Sequence, residues 1–138
     1  MSGPALRKAD SHALIHEAAL QEARELTNLL GNLLMEGDVD RALETAYITL
    51  EHWETRTLAH ADAEERGLYK EISESSPELK DNIVALTRDH DLLRYICWEI
   101  KDILENGGIG DGILQRFQAL ILVDELHNKE EERVLPEH

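Results

Sequence analysis

Cysteine, proline and aromatic residues are all scarce in this chain. Of 138 residues one is cysteine, three are proline and 4% are aromatic. A lone Cys97 excludes a disulfide framework and a cysteine-based zinc site. Basic side chains are also few: 14 Lys and Arg stand against 29 Asp and Glu, a formal net charge of -15. That mean field repels phosphate, so neither nucleic acid nor an anionic membrane is an expected partner. No apolar run approaches the ~20 residues needed to span a bilayer. The opening stretch MSGPALRKAD has no apolar segment of the secretory kind, and a cytoplasmic location is expected. The 42% apolar content is too high for a disordered acidic chain. The length fits a single domain over 1–138, with one core.

Between Pro4, Pro77, Pro136 and the glycine-containing breaks, the chain is rich in Ala, Leu, Glu, Lys and Arg. That composition, with little strand-like alternation, favours helix. Four helical stretches are expected. The first covers 10–35, with Ala19, Ala23, Leu26, Leu30 and Leu33 on one stripe and a stop at Glu36-Gly37-Asp38. The second covers 40–73, with Leu43, Ala46, Leu50, Trp53 and Leu68 inward and a break at Ser75-Ser76-Pro77. The third covers 77–105, opened by Pro77, with Leu79, Ile83, Leu86, Leu93, Cys97, Ile100 and Leu104 inward. Asn106-Gly107-Gly108 stops it. The fourth covers 111–135, with Ile113, Phe117, Leu120 and Val134 or Leu135 inward. Short connections make neighbours antiparallel, so the expected fold is an all-α, up-down-up-down four-helix bundle.

Histidine is the over-supplied residue, with seven copies. His60 and Glu64 begin one His-x-x-x-Glu-Glu unit, and His127 and Glu131 begin a second. A spacing of four puts imidazole and carboxylate one turn apart on one helix face. Such a pair can chelate one ion or reach two adjacent ions. In an antiparallel pair, residues level with each other straddle the turn symmetrically. The midpoint of His60 and His90 is Ser75, that of His90 and His127 falls in Gly107-Gly108, and that of His16 and His60 is Asp38. All three are turns assigned from Gly and Pro chemistry alone. His16, His60, His90 and His127 are therefore expected in one layer. His12, Glu64, Leu86 and Glu131 are expected in the next, placing five imidazoles and two carboxylates around one point. Burying that set without cations leaves carboxylates and ring nitrogens uncompensated. Mixed imidazole and carboxylate donors suit iron, manganese or zinc, whereas calcium and magnesium prefer oxygen alone. There is no Glu-x-x-His unit of the ferritin kind and no His-Glu-x-x-His of a zinc protease.

The two His-x-x-x-Glu-Glu units, His90 within Arg-Asp-His-Asp-Leu-Leu, and the Leu135-Pro136 ending resemble the hemerythrin-like, or HHE cation-binding, family. The resemblance spans about Asp10 to Pro136. It implies a four-helix bundle holding two non-haem iron ions with an oxo or hydroxo bridge. It further implies that Glu64 and Glu131 bridge the irons, with His60, His90 and His127 as terminal ligands. The first helix offers both His12 and His16, where family members supply one histidine. Four imidazoles leave an open position on each iron; a fifth fills one of them. The implied ligand is a small diatomic or peroxide: oxygen, nitric oxide or peroxide itself. The alternatives are a di-iron enzyme or iron-repair factor handling peroxide or nitric oxide, or an iron- or oxygen-responsive regulatory module.

Around this set, Asp124 lies one turn before His127 and is either an acceptor orienting a ligand or a solvent-facing acid. Glu65, Glu130 and Glu132 are expected to face water. His52 is assigned to surface or packing and His138 to a disordered terminus. Tyr69 and Tyr95 are candidate donors to a bound oxygen species, with packing the better account of Tyr69. Cys97 is expected to be a buried structural thiol. The run Ala119-Leu120-Ile121-Leu122-Val123 is apolar all round, more than one buried helix face needs, and is a candidate homodimer surface.

Overall fold

The computed structural model describes residues 4–135, with side chains from residue 14 onward. The His12 side chain and His138 lie outside the described residues. Six α-helices follow one another: α1 (Pro4–Glu36), α2 (Val39–His52), α3 (Ala59–Arg66), α4 (Leu68–Ser75), α5 (Lys80–Glu105) and α6 (Asp111–Val134). A π-helical segment, Trp53–Leu58, joins α2 to α3, and a 3-10 turn, Pro77–Leu79, leads into α5. They form four rods, with α2, the π segment, α3 and α4 making the second. Among the described residues there is no strand, and no helix is long and apolar enough to cross a membrane.

Helix α1 packs on α2 and α6, and α5 packs on α6 and α2, which closes a ring around the core. On α1, His16 and Ala19 meet His60 and His52 of the second rod. On α5, Asp89 and Glu99 meet His127 and Arg116 of α6. Numbers rise on one member of each pair while they fall on the other, so both pairs run antiparallel.

The turns follow from backbone chemistry. Gly37, at φ 75°, ends α1. Its N–H donates to the Leu34 carbonyl and that of Asp38 to the Leu33 carbonyl, which satisfies two terminal acceptors. The Asp38 carboxylate then accepts from the Arg41 backbone N–H and caps α2. Gly107, at φ 90°, ends α5 in the same manner, with Gly108 N–H reaching the Ile103 carbonyl.

The second rod departs from the sequence-based expectation of one continuous helix over 40–73. The π segment accommodates one extra residue per turn, so the Ala59 N–H reaches back to Glu54. At Gly67 the backbone (φ -110°, ψ -88°) leaves the helix and restarts it as α4. The expected inward Leu43 is exposed, and Ala42 is buried in its place, because the packed face carries Ala42, Thr45, Ala46 and Thr49. Leu26 is half-buried. The other expected inward residues of α1, α5 and α6 are buried or partly buried.

The apolar core is split. A large cluster includes Leu30, Leu50, Trp53, Leu93, Cys97, Phe117 and Leu120. A small one holds Tyr69, Ile72, Ile83, Leu86 and Leu135. Along α5 the order is Leu86, His90, Leu93; along α6 it is Leu120, Asp124, His127, Glu131, Leu135, all buried. A polar layer therefore lies between two hydrocarbon plugs. In the run 119–123, Leu120 enters the core, Leu122 is exposed and the other three are half-buried.

Two glycines test the turn account. Gly37 has a left-handed φ with nothing near a new Cβ, so Gly37→Ala should cost about 1 kcal/mol of unfolding free energy through backbone strain alone. Gly110 is extended, at φ 174°, and equally uncrowded. Gly110→Ala should leave the urea midpoint unchanged or raise it.

Candidate metal centre

Two sets of donor atoms converge in the polar layer. Glu64, His90, His127 and Glu131, all buried, each offer an atom within 4.8 Å of the others. His16, His60 and Glu64 form a second set on the same criterion, with both histidines half-buried. Glu64 belongs to both. Its Oε1 lies 3.4 Å from His90 Nε2 and its Oε2 lies 3.7 Å from His60 Nε2. The carboxylate thus faces one set with each oxygen. On the far side, Glu131 Oε2 is 3.3 Å from His127 Nε2. The His16 and His60 rings meet edge-on with centroids 4.9 Å apart.

The orientation of the two buried imidazoles is fixed from behind. His90 Nδ1 donates to Glu65 Oε2 at 2.8 Å, and His127 Nδ1 donates to Asp89 Oδ2 at 2.9 Å. Both Nε2 atoms then point into the layer, where they lie 3.1 Å apart. Two nitrogens bound to one transition ion at about 2.1 Å and at right angles are about 3.0 Å apart. Two facing lone pairs need a cation or a proton between them. The donor set and its spacing fit a bound transition metal.

Glu65 is thereby not a water-facing acid, as its place beside Glu64 suggested. It is three-quarters buried and holds both His90 and the Arg94 guanidinium, at 2.6 Å. Arg94 also pairs with Asp62 and Asp91 and compensates the acidic cluster. The expected level pairing of His60 with His90 is displaced, because the reversal is centred on the 3-10 turn Pro77–Leu79 and not on Ser75. His90 therefore sits level with Glu64 and Glu65. The orienting role considered for Asp124 belongs to Asp89, which the sequence reasoning missed. The level-pairing rule that matched His90 with His127 matches Asp89 with His127 equally well.

Tyr69 does more than pack. The break at Gly67 turns α4 so that the Tyr69 hydroxyl donates to Glu131 Oε2 at 2.5 Å, while its ring stacks on His90. Burial, then the Glu131 charge, raise its pKa far above the phenol range. Tyr95 lies on the outer face of α5 against Trp98, away from the centre. His52 is buried and bonds the Ala19 carbonyl at 2.9 Å, tying α2 to α1. Glu130 pairs with Arg133 at the surface, and Glu132 is exposed. Cys97 is buried in the large cluster; burial, then the Glu54 charge, push its thiol up to about 12.

A sequence profile described as Hemerythrin HHE cation binding domain matches residues 13–137. The chain belongs to the hemerythrin HHE cation-binding family. No match to it was found among curated proteins or among solved structures. In this hemerythrin-family chain, the repeated His-x-x-x-Glu spacing contributes His60 with Glu64, and His127 with Glu131, to the cluster. Side chains from all four rods meet there.

A cavity of about 520 Å³ opens beside the half-buried set. Leu14, Ile15, Ala18, Ala19 and Ala59 give it an apolar wall. His16, His60, Glu64, His90, Asp124, His127 and Asn128 form its polar end, and the π segment adds Thr55, Arg56 and Thr57. Burial, opposed by the His127 and His90 charges, pushes Asp124 up to about 6.

Burial tends to lower the His127 pKa, but hydrogen bonds to Glu131 and Asp89 outweigh it and push it up to about 9. A histidine with a raised folded pKa adds stability that is complete below its unfolded value of 6.5 and is lost as pH rises through about 9. Asp124 has the same sign, but its window closes near pH 6. Metal-free protein should therefore lose thermal stability between pH 6.5 and 9. Cation affinity should rise about tenfold per pH unit over that interval as one proton is displaced. Calorimetric titration at several pH values checks both signs. Asp89→Asn and Glu65→Gln should each weaken cation binding about 10- to 100-fold with helicity retained on circular dichroism.

Proposed function

We propose that the protein is a non-haem di-iron protein that binds oxygen, nitric oxide or peroxide at the cavity end of its buried cluster. One observation carries this reading: a single buried carboxylate, Glu64, is common to two sets of metal-type donors. Mixed imidazole and carboxylate donors suit iron, and family membership supports a cation site. A pair of irons supplies two-electron exchange with a small ligand.

The chain's own residues do the rest. Glu64 lies between the two ion positions. Glu131 is steadied by the Tyr69 hydroxyl. His90 and His127 are held with Nε2 inward by Glu65 and Asp89. The apolar plugs formed around Leu93 with Leu120, and around Leu86 with Leu135, exclude bulk water and strengthen every electrostatic contact between them. One ion position is formed by four buried groups, whereas the other includes the half-buried His16 and His60; the cavity borders both, reaching the first through His90 and His127. The greater exposure of the second favours it for ligand access. His60 is 26% exposed against 2% for His90, which also supports a second reading, a labile outer ion that an iron donor or an iron-responsive module would use.

Anaerobic loading with ferrous iron should give two irons per chain. Glu64→Ala should lose both, and His16→Ala should retain one. One iron in the unsubstituted chain, or two in Glu64→Ala, contradicts the di-iron reading. Iron retained through repeated exposure to ligand favours a binding protein over a donor.

A further inference from the structure

The cavity is far larger than a diatomic ligand needs. An engineered apolar cavity of about 150 Å³ is enough to hold benzene; this one is about 520 Å³. It lies in the usual range for small-molecule sites, mostly apolar with a few converging polar groups. One of those groups stands out. Asp124 is 4% exposed and lines the cavity. Among the described residues its carboxylate is compensated only by the nearby His127 and His90 charges, with no side-chain hydrogen bond or ion pair of its own, although buried polar groups are almost always bonded. An ionised carboxylate only accepts, so the missing partner is a donor.

Charge narrows the class of that donor. An organic carboxylate has no hydrogen to donate to Asp124, whatever the balance of charge between Asp124, Glu64, Arg56 and His127 in the lining. An ammonium compound meets the cations proposed at His16, His60 and Glu64. A neutral molecule with an O–H head avoids both penalties, and its carbon body fits the wall of Leu14, Ile15 and Ala59.

We propose that this cavity binds a neutral organic compound through an O–H head, an alcohol or an organic hydroperoxide, with Asp124 as the acceptor and the apolar wall holding the body. The inference rests on the di-iron reading for the exclusion of ammonium compounds, and names the ligand class of that site. It also assigns Asp124 a role separate from holding the metal: selection of the ligand by its donor group.

The test is a nuclear magnetic resonance titration of metal-free and zinc-loaded protein with benzyl alcohol, benzoate and benzylammonium. Benzyl alcohol should shift the amides of Ala18, Ala59 and Asn128 in both forms. It should bind about tenfold more tightly than benzoate in the metal-free form, and about tenfold more tightly than benzylammonium in the loaded form. Asp124→Leu should weaken the alcohol about tenfold. Should that variant misfold, Asp124→Asn, of the same shape, should gain benzoate relative to the alcohol. tert-Butyl hydroperoxide against tert-butanol then distinguishes the two head groups; tighter binding of either supports the proposal and names the head. No shift with benzyl alcohol, equal binding of benzoate to the metal-free form, equal binding of benzylammonium to the loaded form, or an Asp124→Leu variant with unchanged alcohol affinity overturns it. A chain that takes up no cation yet binds the alcohol overturns the di-iron reading and leaves this one standing; one that loads fully and binds no alcohol does the reverse.

Discussion

Burying two imidazoles and two carboxylates between plugs of hydrocarbon is the constraint on which the rest of this structure depends. Glu64, His90, His127 and Glu131 are all buried, with Leu93 and Leu120 on one side and Leu86 and Leu135 on the other. Uncompensated charge in such a layer costs several kcal/mol per group. The chain compensates with hydrogen bonds: Tyr69 on Glu131, Glu65 behind His90, Asp89 behind His127. Each partner adds its own demand. Glu65 requires Arg94, and Arg94 gathers Asp62 and Asp91 at the surface. The polar layer is thus braced outward to solvent on one side, while its inward-facing nitrogens and oxygens converge on positions suited to cations.

The same constraint accounts for the irregular second rod. A continuous α-helix from Val39 to Ser75 would carry His60, Glu64 and Tyr69 on one unbroken spiral. The π segment Trp53–Leu58 and the break at Gly67 cut that spiral into independently aimed pieces. One piece presents His60 and Glu64, and the next turns Tyr69 onto Glu131. The π segment also supplies Thr55 and Thr57 to the cavity wall, so one irregularity serves both the ion-facing residues and the space beside them.

Much of this was legible in the sequence, and what was not has identifiable causes. Gly37 and Gly107 marked the turns because only they tolerate the left-handed φ found there. The inward stripes of α1, α5 and α6 followed from helical periodicity, and the clustering of His16 with His60 and of Glu64, His90, His127 and Glu131 was expected from spacing and level pairing, with the pairing of His60 and His90 displaced. The π segment was not legible, since Trp53–Leu58 carries no residue that departs from helix chemistry; it lies within a rod read as continuous. Glu65 was misplaced because adjacency to Glu64 suggests an outward turn, whereas the shift of the reversal from Ser75 to the turn Pro77–Leu79 brings His90 to the height of Glu64 and Glu65. Asp89 was visible in principle, one residue before His90 and level with His127. Tyr69's bond to Glu131 depended on the kink at Gly67, whose Cβ-free backbone gave no warning of the direction taken.

The central claim is that this polar layer holds two cations, one within the buried donor set and one at His16, His60 and Glu64. Anomalous diffraction at the iron edge from iron-loaded crystals tests it directly. The account predicts two peaks about 3.5–4 Å apart, one beside His90 and His127 and the other beside His16 and His60, with Glu64 between them. A single peak, or iron bound only at the acidic surface, would contradict it.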